Sequence, residues 1–192
     1  ITSLDQLKGK KMRFFGLGAK VMQKLGVDTQ LLGAADIYPA LERGTIDATE
    51  WIGPFNDQAA GFFQAAQYYY YPGWHEPGTA LETIVNKEAF EALPEDLQHI
   101  VEYACQAANI DMLSEFTARN GEALQQLRDE GVDVRAFPDE VLQELAGITG
   151  TVLEKIAGED ELSGRVYASF KAYYDQVKGW SEIGEKVILN LR

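Results

Sequence analysis

Lys11-Met12-Arg13-Phe14-Phe15-Gly16-Leu17-Gly18-Ala19-Lys20-Val21-Met22-Gln23-Lys24-Leu25 is the stretch on which the fold turns. Lys11 to Phe15 reads as a short strand and Gly16-Leu17-Gly18 as a tight turn. Val21, Met22 and Leu25 then recur at the spacing of one helix face. The alternation continues downstream. Asp28 to Leu32 reads as a second strand, Ala35 to Glu42 as a short helix closed by Gly44, and Thr45 to Trp51 as a third strand. Phe55 to Ala66 reads as a helix with Asn56 or Asp57 placed to cap its start, and Thr79 to Val85 as a further strand. Strands alternating with helices predict an α/β chain built on a mainly parallel, helix-covered sheet.

Past residue 90 the pattern becomes almost wholly helical. Pro94-Glu95-Asp96 opens a helix with acidic groups at the positive end of its dipole. Leu97, Ile100, Val101, Ala104, Ala108, Met112, Phe116, Leu124 and Leu127 keep one apolar stripe along it until Gly131 stops it. Val132 to Phe137 is a short strand candidate, and Pro138-Asp139 opens another helix. A last pattern runs through Val166, Phe170, Tyr173, Val177, Trp180, Ile183 and Ile188, with Gly164, Gly179 and Gly184 as candidate bends. About five strands stand against long and numerous helices, so partner strands are expected from outside this chain.

The 192 residues, 46% of them hydrophobic, suffice for one large domain or two small lobes with a real core. No apolar run is long enough to cross a bilayer. Ile1 to Asp5 show no charged start followed by an apolar run, so no export signal is visible, and the chain opens without Met. The formal net charge of -13 argues against nucleic-acid phosphate as a partner. It equally means that any anion site needs a focused positive centre, a buried Arg or a bound cation. The single cysteine, Cys105, allows no internal disulfide and reads as a small buried hydrophobe.

Arg13 stands among apolar neighbours and, in a strand, shares a face with Phe15. A guanidinium there must be paired, either with an internal carboxylate or with a ligand carboxylate that its fork holds by two parallel hydrogen bonds. Along Thr45 to Glu50, the polar Thr45, Asp47 and Thr49 share one face and Ile46, Ala48 and Glu50 the other. Glu50 therefore points toward the core, unless the strand ends at Thr49 and lets it emerge into solvent. A buried carboxylate requires a cation. Trp51 adds an apolar wall and an indole donor. Gly73-Trp74-His75-Glu76-Pro77-Gly78, after the run Tyr68-Tyr69-Tyr70-Tyr71, reads either as a binding loop or as a packing turn with Trp74 inward and Glu76 solvated. Catalytic signatures are thin. His75 and His99 are the only histidines, no zinc cluster or Gly-x-Ser-x-Gly elbow occurs, and Gly16-Leu17-Gly18 is an incomplete dinucleotide fingerprint.

Leu7-Lys8-Gly9-Lys10-Lys11-Met12-Arg13, together with Ala35-Asp36-Ile37-Tyr38-Pro39-Ala40-Leu41-Glu42-Arg43-Gly44-Thr45-Ile46-Asp47-Ala48, resembles the solute-binding proteins of TRAP transporters. Glu50 through Asp57 and Tyr68 through Gly78 resemble more specifically the branch that binds 2-oxo or 2-hydroxy monocarboxylates with a metal ion. Asp36 stands where the family usually has Glu. The resemblance implies that Arg13 clamps the ligand carboxylate and that Arg13, Trp51 and Glu76 contact the ligand. It implies further that Glu50, the Trp51 backbone and Glu76 hold the cation. Two carboxylates and a carbonyl suit sodium or calcium, and a chelated cation would answer the problem raised by the negative net charge. As fold it implies a two-lobed periplasmic-binding-protein architecture with a hinge, long C-terminal helices and the N-terminal part of the first lobe absent. The division is then 1–50 for mainly second-lobe sheet and helices, 51–92 for the crossover segment and first-lobe strands, and 93–192 for the connecting and C-terminal helices. It also implies a periplasmic location, TRAP membrane subunits as partners, and a homodimer through the C-terminal helix. The alternative is a metal-assisted enzyme acting on a 2-oxo acid, with His75 or Glu76 as base.

Overall fold

The strand read from Lys11 forms as β1 (Lys11–Arg13) and occupies the centre of a three-stranded parallel sheet, in the order β2-β1-β3. Its neighbours are β2 (Asp28–Gln30) and β3 (Ala48–Thr49), with Arg13 in register with Gln30 on one side and Thr49 on the other. The computed structural model describes residues 1–78 and 81–191. The parallel α/β arrangement is as expected, but each strand is shorter than its sequence pattern. β3 begins late because the Thr45 and Ile46 N–H groups are both donated to the Ala40 carbonyl, at 2.8 and 3.3 Å, prolonging the end of α2 (Ala34–Glu42).

Two cores flank this sheet. Leu4, Leu7, Met12, Phe14, Val21, Met22, Leu25 and Val27 pack with Val141, Leu145 and Val152. The helical periodicity of Val21 and Met22 in α1 (Gly16–Lys24) thus finds its complement on α6 (Asp139–Ala157), far along the chain. The second core gathers Ile37, Ala40, Leu41, Ile46 and Phe62, with Trp51 against it.

The helix expected over Phe55 to Ala66 is broken. α3 spans Pro54–Ala59, and a 3-10 turn follows over Phe62–Gln64. Between them Gly61 sits at φ 73°, a left-handed conformation that a side chain would oppose. Neither Asn56 nor Asp57 is the capping residue of α3; Gly53 is, and Asp57 reaches back from within the first turn. Tyr68–Tyr71, which shows no alternation, forms β4 and pairs in parallel with β5 (Asp133–Ala136), close to the strand read over Val132 to Phe137. The strand expected over Thr79 to Val85 does not form in its described part. Thr79 and Ala80 lie outside the described residues, and Leu81 to Val85 have no regular structure, since no described strand runs beside them to take their N–H and C=O groups.

α4 (Lys87–Glu91) leads to α5 (Glu95–Asp129), whose apolar stripe is buried only late, at Ala123 and Leu127. Leu97 and Ile100 are exposed, because only the second half of α5 packs, chiefly on α3 through Phe116 against Phe55. Cys105 is partly exposed instead of buried. α7 (Glu161–Ile183) runs unbroken through Gly164 and Gly179 and gives way at Gly184 to α8 (Glu185–Asn190). No helix among the described residues is long and apolar enough to cross a membrane.

Candidate functional site

Parallel strands end together, and the residues just beyond their carboxyl ends form the natural binding edge of an open α/β sheet. β1 ends at Arg13; β3 ends at Thr49 and delivers Glu50 and Trp51 beside it, with the Glu50 N–H directed to the Arg13 carbonyl at 3.5 Å. Both charged side chains are buried, the only charged residues in that class among the described ones. Arg13 Nη1 donates to Glu50 Oε1, and Arg13 Nε donates to the Leu32 carbonyl at 3.3 Å. The guanidinium lies 5.2 Å from the Phe15 ring and 5.1 Å from the Trp51 ring, so aromatic faces flank the cation. Among the described residues Nη2 donates to no protein atom.

The expected inward face of Glu50 is therefore observed, and Arg13 is paired with an internal carboxylate through Nη1 alone. The third member of the cluster is His75, whose Nε2 stands 3.7 Å from Glu50 Oε2. Its turn is fixed by aromatic packing. The Phe14 ring lies 5.9 Å from Trp74 and edge-on to His75 at 5.0 Å, while Trp74 packs against the first core. Gly18 makes this approach possible, since a Cβ there would stand 2.5 Å from the Phe14 ring and 3.5 Å from His75 Cβ. Close helix–ring contact thus accounts for the second glycine of Gly16-Leu17-Gly18.

Glu76 is exposed, its N–H donates to the Gly73 carbonyl at 3.3 Å, and its carboxylate enters no ion pair among the described residues. Trp74 inward and Glu76 outward match the packing-turn reading, while the neighbouring His75 faces the charged pair. His99, the other histidine, is exposed on α5 with Nδ1 3.1 Å from Glu102. Among the described residues no three His, Cys, Asp or Glu side chains converge as a ready cage for a metal. An open cavity of 420 Å³ between α1 and α6, lined by Lys20, Gln23, Lys24, Lys155 and Glu159, includes none of this cluster.

Asp57 is the residue near the site that the sequence reading used only as a helix cap. Its Oδ1 accepts from the Ile52 and Gly53 N–H groups, both at 3.1 Å, and its Oδ2 accepts from the Tyr69 hydroxyl at 2.7 Å. Burial holds its carboxyl above the ordinary aspartate value, against the opposing pull of those hydrogen bonds. Burial likewise raises the Tyr69 phenol.

Comparison with known proteins agrees with this architecture. The chain is 43% identical over 185 residues to the monocarboxylate 2-oxoacid-binding periplasmic protein of Nostoc sp. (strain PCC 7120), covering 96% of this chain and 51% of that protein. A TRAP periplasmic solute binding protein from Colwellia psychrerythraea, solved with calcium and pyruvate bound, superposes with a TM-score of 0.94 at 38% identity, over 100% of this chain and 59% of its own. Another, from Pseudoalteromonas atlantica T6c with sodium and pyruvate bound, gives 0.93 at 38% identity over 99% of this chain and 58% of its own. The chain thus spans between half and three-fifths of the length of these relatives, with the fold of TRAP solute-binding proteins. The family model of bacterial extracellular solute-binding proteins, family 7, matches residues 1–160, and the chain belongs to that family.

Proposed function

We propose that this chain carries the binding edge for a small 2-oxo or 2-hydroxy monocarboxylate, taken up with a cation by the extracytoplasmic component of a TRAP-type transporter. The observation that carries the reading is the buried Arg13, flanked by two rings at the carboxyl end of β1 with a guanidinium nitrogen left for a ligand. Arg13 would clamp the carboxylate, and the Trp51 ring would wall the ligand. The relatives bound to pyruvate with calcium or sodium support both the ligand class and the cation.

The donors fit a hard cation: the buried Glu50 carboxylate, with Oε2 outside its Arg13 contact, and the Trp51 backbone carbonyl are oxygens. They do not form a full shell, so the remaining ligands would be oxygens of the bound acid and Glu76, which adjoins His75 in the sequence. The cation supplies positive charge that offsets the protein's net -13 at the anion site. Arg13, Glu50 and Trp51 supply orientation and exclusion of water.

The same reading assigns the chain to the periplasm and to TRAP membrane subunits, and divides it at about residues 50 and 92 between two lobes. It expects a preceding segment of the same protein to add strands. The exposed Leu81, Ile84 and Val85 support that expectation, as does the share of the relatives that this chain spans. It expects a homodimer through α7, supported by the exposed Val166, Phe170, Tyr173 and Trp180. Calorimetry on the intact protein with pyruvate and with lactate, each with and without calcium or sodium, tests the assignment. Cation-dependent binding of one of them is expected; binding of neither, or product formation in the cell, would overturn it.

A further inference from the structure

We propose that Asp57, oriented by Tyr69, is a positioning residue that sets where Glu50 and Trp51 stand by holding the peptide N–H groups of Ile52 and Gly53. The proposal rests on the binding edge described above and assigns it a support that the binding residues themselves do not provide.

β3 ends at Thr49, and α3 does not begin until Pro54, so residues 50–53 cross between the elements as irregular backbone. Glu50 and Trp51 have no sheet register to fix them after the Glu50 N–H. The next two residues, Ile52 and Gly53, are held from outside the strand. One Asp57 carboxylate oxygen takes their two successive N–H groups, at 3.1 Å each, and the other oxygen takes the Tyr69 hydroxyl at 2.7 Å. Tyr69 belongs to β4, which is paired in register with β5, so the orienting hydroxyl is attached to a second sheet. A further tie lies two residues on, where the Phe55 N–H donates to Asn120 Oδ1 of α5 at 3.0 Å. The irregular segment is thus pinned at 52 and 53 to Asp57 of α3, which is tied in turn to β4 through Tyr69 and, through Phe55, to α5.

The choice of an acid here is costly and therefore informative. Asp57 is partly buried, and the negative charge of Glu50 is close enough to disfavour its ionisation further. A neutral residue would avoid both costs, but few side chains offer one oxygen for two N–H donors and a second for a hydroxyl. Outer groups of this kind fix the geometry of binding residues, and their loss reduces ligand or metal affinity although they touch neither.

The test uses the intact protein with calcium and pyruvate as probes, and compares Asp57→Ala, Asp57→Asn and Tyr69→Phe with wild type. Two readouts are taken: calorimetric affinity, and hydrogen exchange at the Ile52 and Gly53 amides without ligand. Asp57→Ala is expected to weaken binding by roughly tenfold or more and to speed exchange at both amides. Asp57→Asn, whose amide keeps an acceptor for the N–H pair and a donor toward the Tyr69 oxygen, is expected to restore most of both. Tyr69→Phe should shift both in the direction of Asp57→Ala, and decides the matter if the alanine variant does not fold. Wild-type affinity and exchange in Asp57→Ala or Tyr69→Phe would overturn the proposal. So would an Asp57→Asn as weak as the alanine variant but with unchanged exchange, since the charge itself would then act at the site. If wild type binds no pyruvate, the functional reading fails and the exchange comparison alone decides the clamp.

Discussion

Arg13 and Glu50 are each other's counter-ion in a place where water reaches neither well, and this makes the pair sensitive to loss of one partner. A buried ion pair is not in itself a large source of stability, because desolvating both groups offsets much of their attraction. Removing one member is different. Arg13→Ala would leave Glu50 buried without its cation and is expected to cost about 3–5 kcal/mol of stability, measured by urea unfolding of the intact protein. Arg13→Lys keeps the charge and should unfold closer to wild type. Its point-like ammonium cannot reproduce the planar fork, so carboxylate affinity should still fall by about tenfold or more. Unchanged calorimetric affinity in Arg13→Lys would remove Arg13 from the ligand. Asp57 makes a separate prediction with pH. Burial raises its carboxyl above 3.8 in the folded chain, so the folded state binds that proton more tightly than the unfolded state. The stability this contributes is complete below pH 3.8 and is lost as pH rises through the raised folded value. Wild type should therefore lose stability against Asp57→Asn across that window, and a constant difference between the two would refute the shift.

At the scale of elements, the strand–turn–helix order was legible because its signals are local: β1, α1, β2 and α2 follow hydrophobic spacing that neighbours along the chain impose. Glu50 could be read as inward-facing from the alternation of Ile46 and Ala48. What escaped the sequence was set by groups distant from it. Tyr68–Tyr71 has no periodicity and becomes a strand only because Asp133–Ala136 lies beside it. His75 meets Glu50 through Phe14 and Trp74, a three-way packing no spacing encodes. Asp57 could be picked out as a local N–H acceptor, but not as the partner of Tyr69. Gly18 joins the two levels. It begins as a turn residue in the sequence and proves to be a contact surface for the Phe14 ring. Gly18→Ala should force that ring toward Trp74 and His75 and destabilise the protein by roughly 1–3 kcal/mol, the usual cost of overpacking. Because His75 moves with the ring, ligand affinity should change as well. A variant that loses stability but binds as wild type would confine Gly18 to packing.

For the whole molecule, the distribution of exposed apolar side chains is the main physical problem left by this chain. On α7 they include Val166, Phe170, Tyr173 and Trp180, which with the half-buried Val177 follow an alternating spacing of four and three that draws a continuous seam along the helix. Val166, Phe170, Tyr173 and Trp180 are all more than half exposed, at 61%, 56%, 68% and 70%, and α7 has no buried residue. Side chains of this size at coiled-coil spacing are costly to hydrate and complementary to another helix of the same kind. A second copy offers that complement with two-fold symmetry, since one stripe then serves both sides of the contact. Phe170→Glu combined with Trp180→Glu would set like charges across such a seam. Sedimentation of the intact protein is expected to show a dimer that becomes a monomer in the double variant. Binding at Arg13 should be retained, because α7 contributes no side chain to the cluster around Glu50. A monomeric wild type, or a double variant that remains dimeric, would show that the seam is covered from within the same protein or does not pair at all.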